Sequence, residues 1–292
     1  MERAMRGPLE LKPWLRLARA CHRAALLALR HDCLNLSQSA AYSAIIALFP
    51  ALIVTAALVA LLPDAGPVRM QLGPLFDRIL PAEVSEALTP YFAVSHTSHS
   101  TRALVLAGVV SLMGASSVIA TLMEGVRRAN GLPMDCWTVW QRRGRAFLLV
   151  PLSLGPLILA SGLVIFGHII ADWLSGYATE VRPMIFLVAL VLRWLIAVAG
   201  VVGLTALIYH MGTPLKQHWL MTLPGACVST AMWFLTTLVF GWYVTRFANY
   251  TQIYGSLGSG IALLVWLYLV FLSVLCGAEV NAAFFERSGQ KS

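Results

Sequence analysis

Apolar residues run through the chain in long uninterrupted stretches separated by short polar segments. Six stretches are long enough to cross about 30 Å of hydrocarbon as helices, which takes roughly 20 residues each. They fall at about 37–62, 103–123, 146–170, 184–209, 220–243 and 254–279. None shows the weaker in-out alternation of an outer-membrane barrel strand. Backbone polar groups in lipid must be satisfied within the spanning element itself. The pattern therefore predicts an all-α fold, a polytopic membrane protein built as a six-transmembrane-helix bundle. No stretch reads as a cleavable signal peptide, because the first lies too far along the chain and is too long for one.

Composition points the same way. Hydrophobic residues make up 59% of the 292 positions and charged residues 12%, with a mean hydropathy of +0.76. A soluble domain carries about 25% charged residues, so too few polar side chains exist here to cover a globule. The same figures exclude a disordered chain, and five cysteines are too few for a disulfide scaffold. The net charge of +8 and pI of about 9.6 would raise nucleic acid as a partner in a soluble protein. In a membrane protein they report topology first. With the N-terminus inside, 15 of the Lys and Arg residues fall in inner segments, 5 fall in outer segments, and Arg193 alone lies within a span. Both termini are thus expected on the cytoplasmic side, and no nucleic-acid partner is expected. Cys21, Cys33 and Cys136 fall on that reducing side, while Cys227 and Cys276 lie in spans, so no disulfide is expected.

Three parts follow: a cytoplasmic N-terminal segment (1–36), a six-helix transmembrane domain (37–285) and a cytoplasmic tail (286–292). Within the first, residues 11–32 read as an amphipathic interfacial helix. At about 100° per residue, Lys12, Arg16, Arg19, Arg23 and Arg30 share a stripe roughly 60° wide. Trp14, Leu17, Cys21, Ala25 and Leu29 lie elsewhere on that helix. Such a stripe binds the anionic headgroups of membrane lipids at the cytoplasmic face. The loop at 63–102 is cut by Pro63, Pro67, Pro74, Pro81 and Pro90, and its tip holds His96 and His99. Two histidines without a nearby Cys or carboxylate do not make a metal site. The inner loop 124–145 carries Arg127, Arg128, Arg142, Arg143 and Arg145, read as a headgroup anchor.

Candidate chemistry is sparse. Arg193 stands near the middle of the fourth span, where a charge costs several kcal/mol. No carboxylate lies at its depth, so it either bonds backbone carbonyls or faces a cavity that admits an anion. Pro50, Pro151 and Pro156 remove backbone donors inside spans, as in transporters whose broken helices form binding sites. Gly225-x-x-x-Ser229, Gly255-x-x-x-Ser259 and Ser256-x-x-x-Gly260 permit close helix approach. His168 and Asp172 lie four apart on one face, spaced for a structural hydrogen bond or a proton relay. No P-loop, G-x-S-x-G or H-E-x-x-H occurs, and the carboxylates are scattered along the chain. An enzyme is not expected, nor a cofactor.

Several motifs resemble those of the YihY/BrkB family of bacterial inner-membrane proteins. Ala41-Tyr42-Ser43-Ala44 followed by Leu48-Phe49-Pro50 is similar to that family's first-span signature. Leu223-Pro224-Gly225-Ala226, with Trp233 and Tyr243 after it, resembles its P-G-A stretch. Tyr254-Gly255-Ser256-Leu257-Gly258, Trp266-Leu267-Tyr268 and Gly277-Ala278-Glu279-Val280-Asn281-Ala282 match its C-terminal series in order and spacing. The resemblance covers roughly residues 36–285. It implies a multi-pass protein of the inner membrane. It also implies structural roles for Phe49, Pro224, Gly225, Tyr254, Gly255, Gly258, Trp266, Gly277 and Asn281. Members have carried a ribonuclease label, which the scattered carboxylates argue against, and others are named as virulence factors. The leading expectation is a non-enzymatic transporter or export factor for an anionic lipid or envelope precursor. Arg193, Tyr42, Pro50 and Glu279 form its candidate substrate-binding set. The rival expectations are a structural or partner-binding membrane protein and, less favoured, a membrane enzyme. A homo-oligomer or an envelope-protein partner fits either of the first two.

Overall fold

The computed structural model describes residues 23–24, 26–61, 101–155, 182–215, 218–246 and 257–289. Among these the fold is all helical. The long helices are α1 (Cys33–Leu61), α2 (Thr101–Ala129), α3 (139–155), α4 (Arg182–Met211), α5 (Leu223–Arg246) and α6 (Leu257–Gly289). Among the described residues, five segments are long and apolar enough to cross a membrane: Cys33–Thr55, Leu104–Ala129, Trp194–Met211, Trp219–Val244 and Gly260–Phe284. The third expected span overlaps α3 at residues 146–155, and residues 156–181 lie outside the described residues. Several helices outrun the expected spans, and α6 extends ten residues beyond 279. Its extra turns carry Asn281 and Ala282 into the packed end of the bundle.

Local chemistry sets the helix ends. Pro224 stands in the first turn of α5, where a missing N–H leaves no bond unmade. α2 stops at Gly131, whose φ of +63° closes the helix with Gly131 N–H donating to Arg128 O and Leu132 N–H donating to Arg127 O. A short helical stretch over 26–30 is separated from α1 by His31 and Asp32, with Asp32 at φ +66°. The expected single helix over 11–32 therefore ends at a turn, and α1 starts anew. Residues 11–22 lie outside the described residues. Pro50 sits inside α1 and Pro151 inside α3, and both helices continue through them.

Burial is concentrated at one end of the bundle. The core draws on the start of α1 (Cys33, Ser37, Ala40, Ala41), the end of α2 (Ser116 to Ala129) and the start of α3 (Ala146, Leu149, Val150). It continues in the end of α4 (Thr205 to Tyr209), the start of α5 (Ala226, Ser229, Thr230) and the end of α6 (Ser273 to Ala282). Alternating start and end through six successive helices is what an up-down bundle gives when one end is closed. Large apolar side chains are exposed elsewhere, among them Leu106 and Val109 on α2, Trp194 and Leu195 on α4, and Leu235 and Trp242 on α5. Within each candidate span only 17–22% of the residues are fully buried inside the protein, as suits helices whose outward faces meet lipid.

At the closed end, small residues let backbones touch. α1 and α2 share the most extensive interface, and α6 packs on α1, α2 and α5. A Cβ placed on Gly225 would lie 2.5 Å from Gly277 O, and one on Gly277 would lie 2.6 Å from Gly225 O and from Ser229 Cβ. Further along α1 and α2, beyond the closed end, Gly114 meets Ala47 in the same way. Tyr209, wholly buried, donates from its hydroxyl to Val274 O at 2.5 Å and ties α4 to α6. Trp266 Nε1 donates to Thr237 Oγ1 at 3.2 Å, a second link between α6 and α5.

Overpacking a tight contact costs about 1–3 kcal/mol. Gly277→Leu is expected to lower the melting temperature of the detergent-purified protein by several degrees. Gly260→Ala, where a Cβ meets nothing within 4 Å, is expected to leave it unchanged.

Candidate functional site

The closed end gathers most of the charged side chains described. Glu124, Arg127 and Arg128 stand at i, i+3 and i+4 on α2, so all three lie on one face. Arg127 grips the Glu124 carboxylate with two donors, Nη2 to Oε1 at 2.7 Å and Nε to Oε2 at 2.9 Å. Its remaining arm donates to Leu132 O, beyond the Gly131 turn. Arg128 Nε donates to Glu124 Oε1 at 3.0 Å, and its Nη1 reaches Asp32 Oδ2 at 3.6 Å and His31 O at 3.4 Å. Arg142 approaches Glu124 Oε2 at 3.6 Å from α3. Asp32 and Glu124, 92 positions apart in the chain, are thus joined through one guanidinium.

A second polar group lies beside it. Glu279 is fully buried, with Oε1 2.7 Å from His31 Nδ1 and 3.7 Å from Cys33 Sγ, which donates to it. The imidazole comes from the turn ahead of α1 and the thiol from the first residue of α1, so this carboxylate pins the start of α1 to α6. Around the corner Arg145 lies over the Trp137 ring, 3.3 Å from its centroid, and donates to Met211 O at 3.4 Å. Burial there lowers the Arg145 pKa from its ordinary value.

Between α1 and α2 runs a cleft of about 290 Å³, continued by α3. Its walls carry Ser39 and Ser43 from α1 and Ser117, Thr121 and Glu124 from α2, with Arg142 and Arg143 from α3 at the mouth. Four hydroxyls arranged as two pairs at i, i+4 spacing make this a polar groove in an otherwise apolar helix surface. A neighbouring hollow of about 260 Å³ is lined by Val139 and Trp140 and shares Ala120, Arg142 and Arg143 with the cleft. Among the described residues, no group of three His, Cys, Asp or Glu side chains is placed to hold a metal ion.

Among the described side chains, the expected substrate-binding residues Tyr42, Pro50 and Glu279 are not brought together. Tyr42 is 66% exposed on the outside of α1, and Pro50 lies partly buried about two turns further along that helix. Glu279 is in the His31 group and does not line the cleft. Arg193 falls within α4, and its side chain lies outside the described residues. Of the expected surface-binding cations, Arg23 and Arg30 are exposed on the segment before α1, while Lys12, Arg16 and Arg19 lie outside the described residues. Phe49 is 39% exposed and Pro224 is exposed, while Gly225, Gly258, Gly277 and Asn281 are buried. Tyr254, Gly255, His96, His99, Pro156, His168 and Asp172 lie outside the described residues. The inner-loop arginines, expected as headgroup anchors, are partly committed to protein partners: Arg127 and Arg128 to Glu124, and Arg145 to Trp137. The pairing of Glu124 with Arg127 and Arg128 was readable from helical spacing, as were the two serine and threonine pairs. The reach of Arg142 and His31 from other elements was not.

These features define a multi-span, all-helical membrane protein with a charged, closed end and a polar cleft. The family described as virulence factor BrkB matches residues 27–292. The chain belongs to that family. A putative ribonuclease-like protein YfkH of Bacillus subtilis (strain 168) is 25% identical over 264 residues, covering 88% of this chain and 92% of that one. A UPF0761 membrane protein of Alkalilimnicola ehrlichii is 28% identical over 262 residues, or 87% of this chain and 55% of that protein. A UPF0761 membrane protein of Chromohalobacter salexigens is 30% identical over 266 residues, 88% of this chain and 61% of that protein. This chain therefore spans little more than half of the UPF0761 proteins it matches. No solved structure matches it.

Removing one partner of a shielded charge network leaves the others unmatched, at about 1–3 kcal/mol for a charge-assisted hydrogen bond. Glu124→Ala is expected to lower the unfolding midpoint in detergent clearly. Asp32→Asn, at a side chain 55% exposed, is expected to shift it by far less. Equal shifts for the two would show that Glu124 does not organise this end.

Proposed function

We propose that this protein is a non-enzymatic transporter or export factor for an anionic lipid or envelope precursor, acting in the bacterial inner membrane. One observation carries the reading: the cleft between α1 and α2 lines a lipid-exposed bundle with hydroxyls and ends on Arg142 and Arg143. A polar groove with cations at its mouth lowers the cost of moving a charged headgroup along an apolar surface. Both termini then lie in the cytoplasm, by the excess of Lys and Arg in those segments. Arg193 is the counter-charge at mid-membrane, and the basic segment before α1 rests on anionic headgroups.

Catalysis is disfavoured by how the acids are used. Glu124 accepts from two arginines and Glu279 from His31 and Cys33, so neither is held ready for hydrolysis. The ribonuclease-like name belongs to the Bacillus relative. A structural or partner-binding role, with a homo-oligomer or envelope protein as partner, is the second reading. It is favoured by the backbone contact of α5 and α6 at Gly225 and Gly277, which leaves no path between those helices.

The two readings separate in proteoliposomes carrying a headgroup-labelled anionic phospholipid. Under the transport reading the full chain speeds headgroup exchange between leaflets, Arg193→Ala loses about ten-fold or more of the rate, and Arg193→Lys keeps part of it. Exchange no faster than in protein-free vesicles supports the structural role instead. Exchange that survives Arg193→Ala removes that residue from the path.

A further inference from the structure

We infer that the cleft between α1 and α2 is a binding site for an anionic phospholipid with a hydroxylated headgroup. Its phosphate sits on Arg142 and Arg143. The assignment rests on reading this chain as a handler of anionic amphiphiles, and it names the site and the headgroup.

Charge supplies the first argument. Four guanidinium groups, Arg127, Arg128, Arg142 and Arg143, surround this end, against the carboxylates of Glu124 and Asp32. Arg127 and Arg128 are consumed by those acids. Arg142 keeps only a 3.6 Å approach to Glu124 and is 46% exposed. Arg143 faces Phe147 at 5.9 Å and, among the described residues, has no carboxylate within salt-bridge reach. Two adjacent guanidinium forks in surplus match the spread oxygens of a phosphate.

Hydrogen bonding supplies the second. Ser117 Oγ donates to Met113 O at 3.0 Å and Thr121 Oγ1 donates to Ser117 O at 2.9 Å, so both protons are spent within α2. What those oxygens present to the cleft is lone pairs, and the Glu124 carboxylate beside them is acceptor only. An occupant that brings donors along with its negative charge meets this α2 wall, while Ser39 and Ser43 line the cleft from α1. A glycerol or sugar headgroup brings both. An ammonium headgroup brings donors but sets a positive charge beside Arg142 and Arg143.

Shape supplies the third. Arg142 and Arg143 line both the polar cleft and the hollow walled by Val139 and Trp140, which are 74% and 87% exposed. A ligand with its phosphate at these arginines meets hydroxyls on one side and apolar surface on the other. Ser39, Ser43, Ser117 and Thr121 lie in segments apolar enough to cross a membrane, so the cleft is reached through lipid and suits an amphiphile better than a free phosphate ester.

The test uses the full chain purified in detergent, with lipid retention read by native mass spectrometry and melting temperature measured for every variant. Phosphatidylglycerol is expected to be held at least about ten-fold more tightly than phosphatidylcholine or phosphatidylethanolamine, a difference of roughly 1.4 kcal/mol. The double variant Arg142→Gln, Arg143→Gln is expected to bring these lipids to parity, and Arg142→Lys, Arg143→Lys to restore part of the preference. Ser117→Ala with Thr121→Val is expected to spare phosphatidate binding while removing the preference for phosphatidylglycerol over it. Equal retention of all headgroups by the native chain overturns the site, as does a preference that survives the double glutamine variant. Displacement by glycerol 3-phosphate at matched concentration reassigns the pocket to a soluble phosphate ester and overturns the lipid. Selective retention without leaflet exchange upholds this site while refuting transport. Exchange without selectivity does the reverse.

Discussion

Helices in a bilayer gain nothing from hiding apolar surface, since lipid is as apolar as the protein. Cohesion has to come from close packing and from polar bonds that lipid cannot supply. Here both are concentrated toward one end. Gly225 against Gly277 brings backbones into contact there, Gly114 meets Ala47 further along α1 and α2, and Tyr209 adds a hydroxyl bond from α4 to α6. The six helices are held together at that end, while their other described portions present leucine, valine and tryptophan outward.

The charged groups depend on this closure. Glu279 can be buried completely because α6 is drawn against α1, where His31 and Cys33 meet its carboxylate. Glu124 collects its arginines because α2 stops cleanly at Gly131 and α3 begins soon after, bringing Arg142 back across the turn. The cleft is the gap between α1 and α2 where serine and threonine replace the alanine and glycine that close the helices elsewhere. Its polarity and its openness have the same origin.

Much of the architecture was legible in the chain. Long apolar runs specify helices, and helix starts and ends fall within a few residues of the runs for α1, α2, α4 and α5, because lipid thickness leaves little freedom. α6 exceeded its run, since the segment apolar enough to cross a membrane continues to Phe284, and Val280, Asn281 and Ala282 pack in the closed end. The Pro50 and Pro151 positions were read as breaks, yet α1 and α3 pass through them; a proline in a long helix need not end it when neighbours hold both halves. The site was less legible. Spacing along one helix reveals Glu124 with Arg127 and Arg128, but nothing local places Asp32, His31 or Arg142 beside them. Glu279 looked like a lone acid near the end of a span, and only tertiary structure supplies its partners from 246 and 248 positions away.

The turn at His31 and Asp32 has a mechanical consequence. The segment before α1 leaves at an angle set by Asp32 in the left-handed region. Both the His31 carbonyl and the Asp32 carboxylate are held by Arg128 of α2, while the His31 ring is held by α6. The basic approach segment is therefore hinged to two helices that are not its sequence neighbours. The α2 wall of the cleft and the start of α1 are thus tied through one side chain, Arg128.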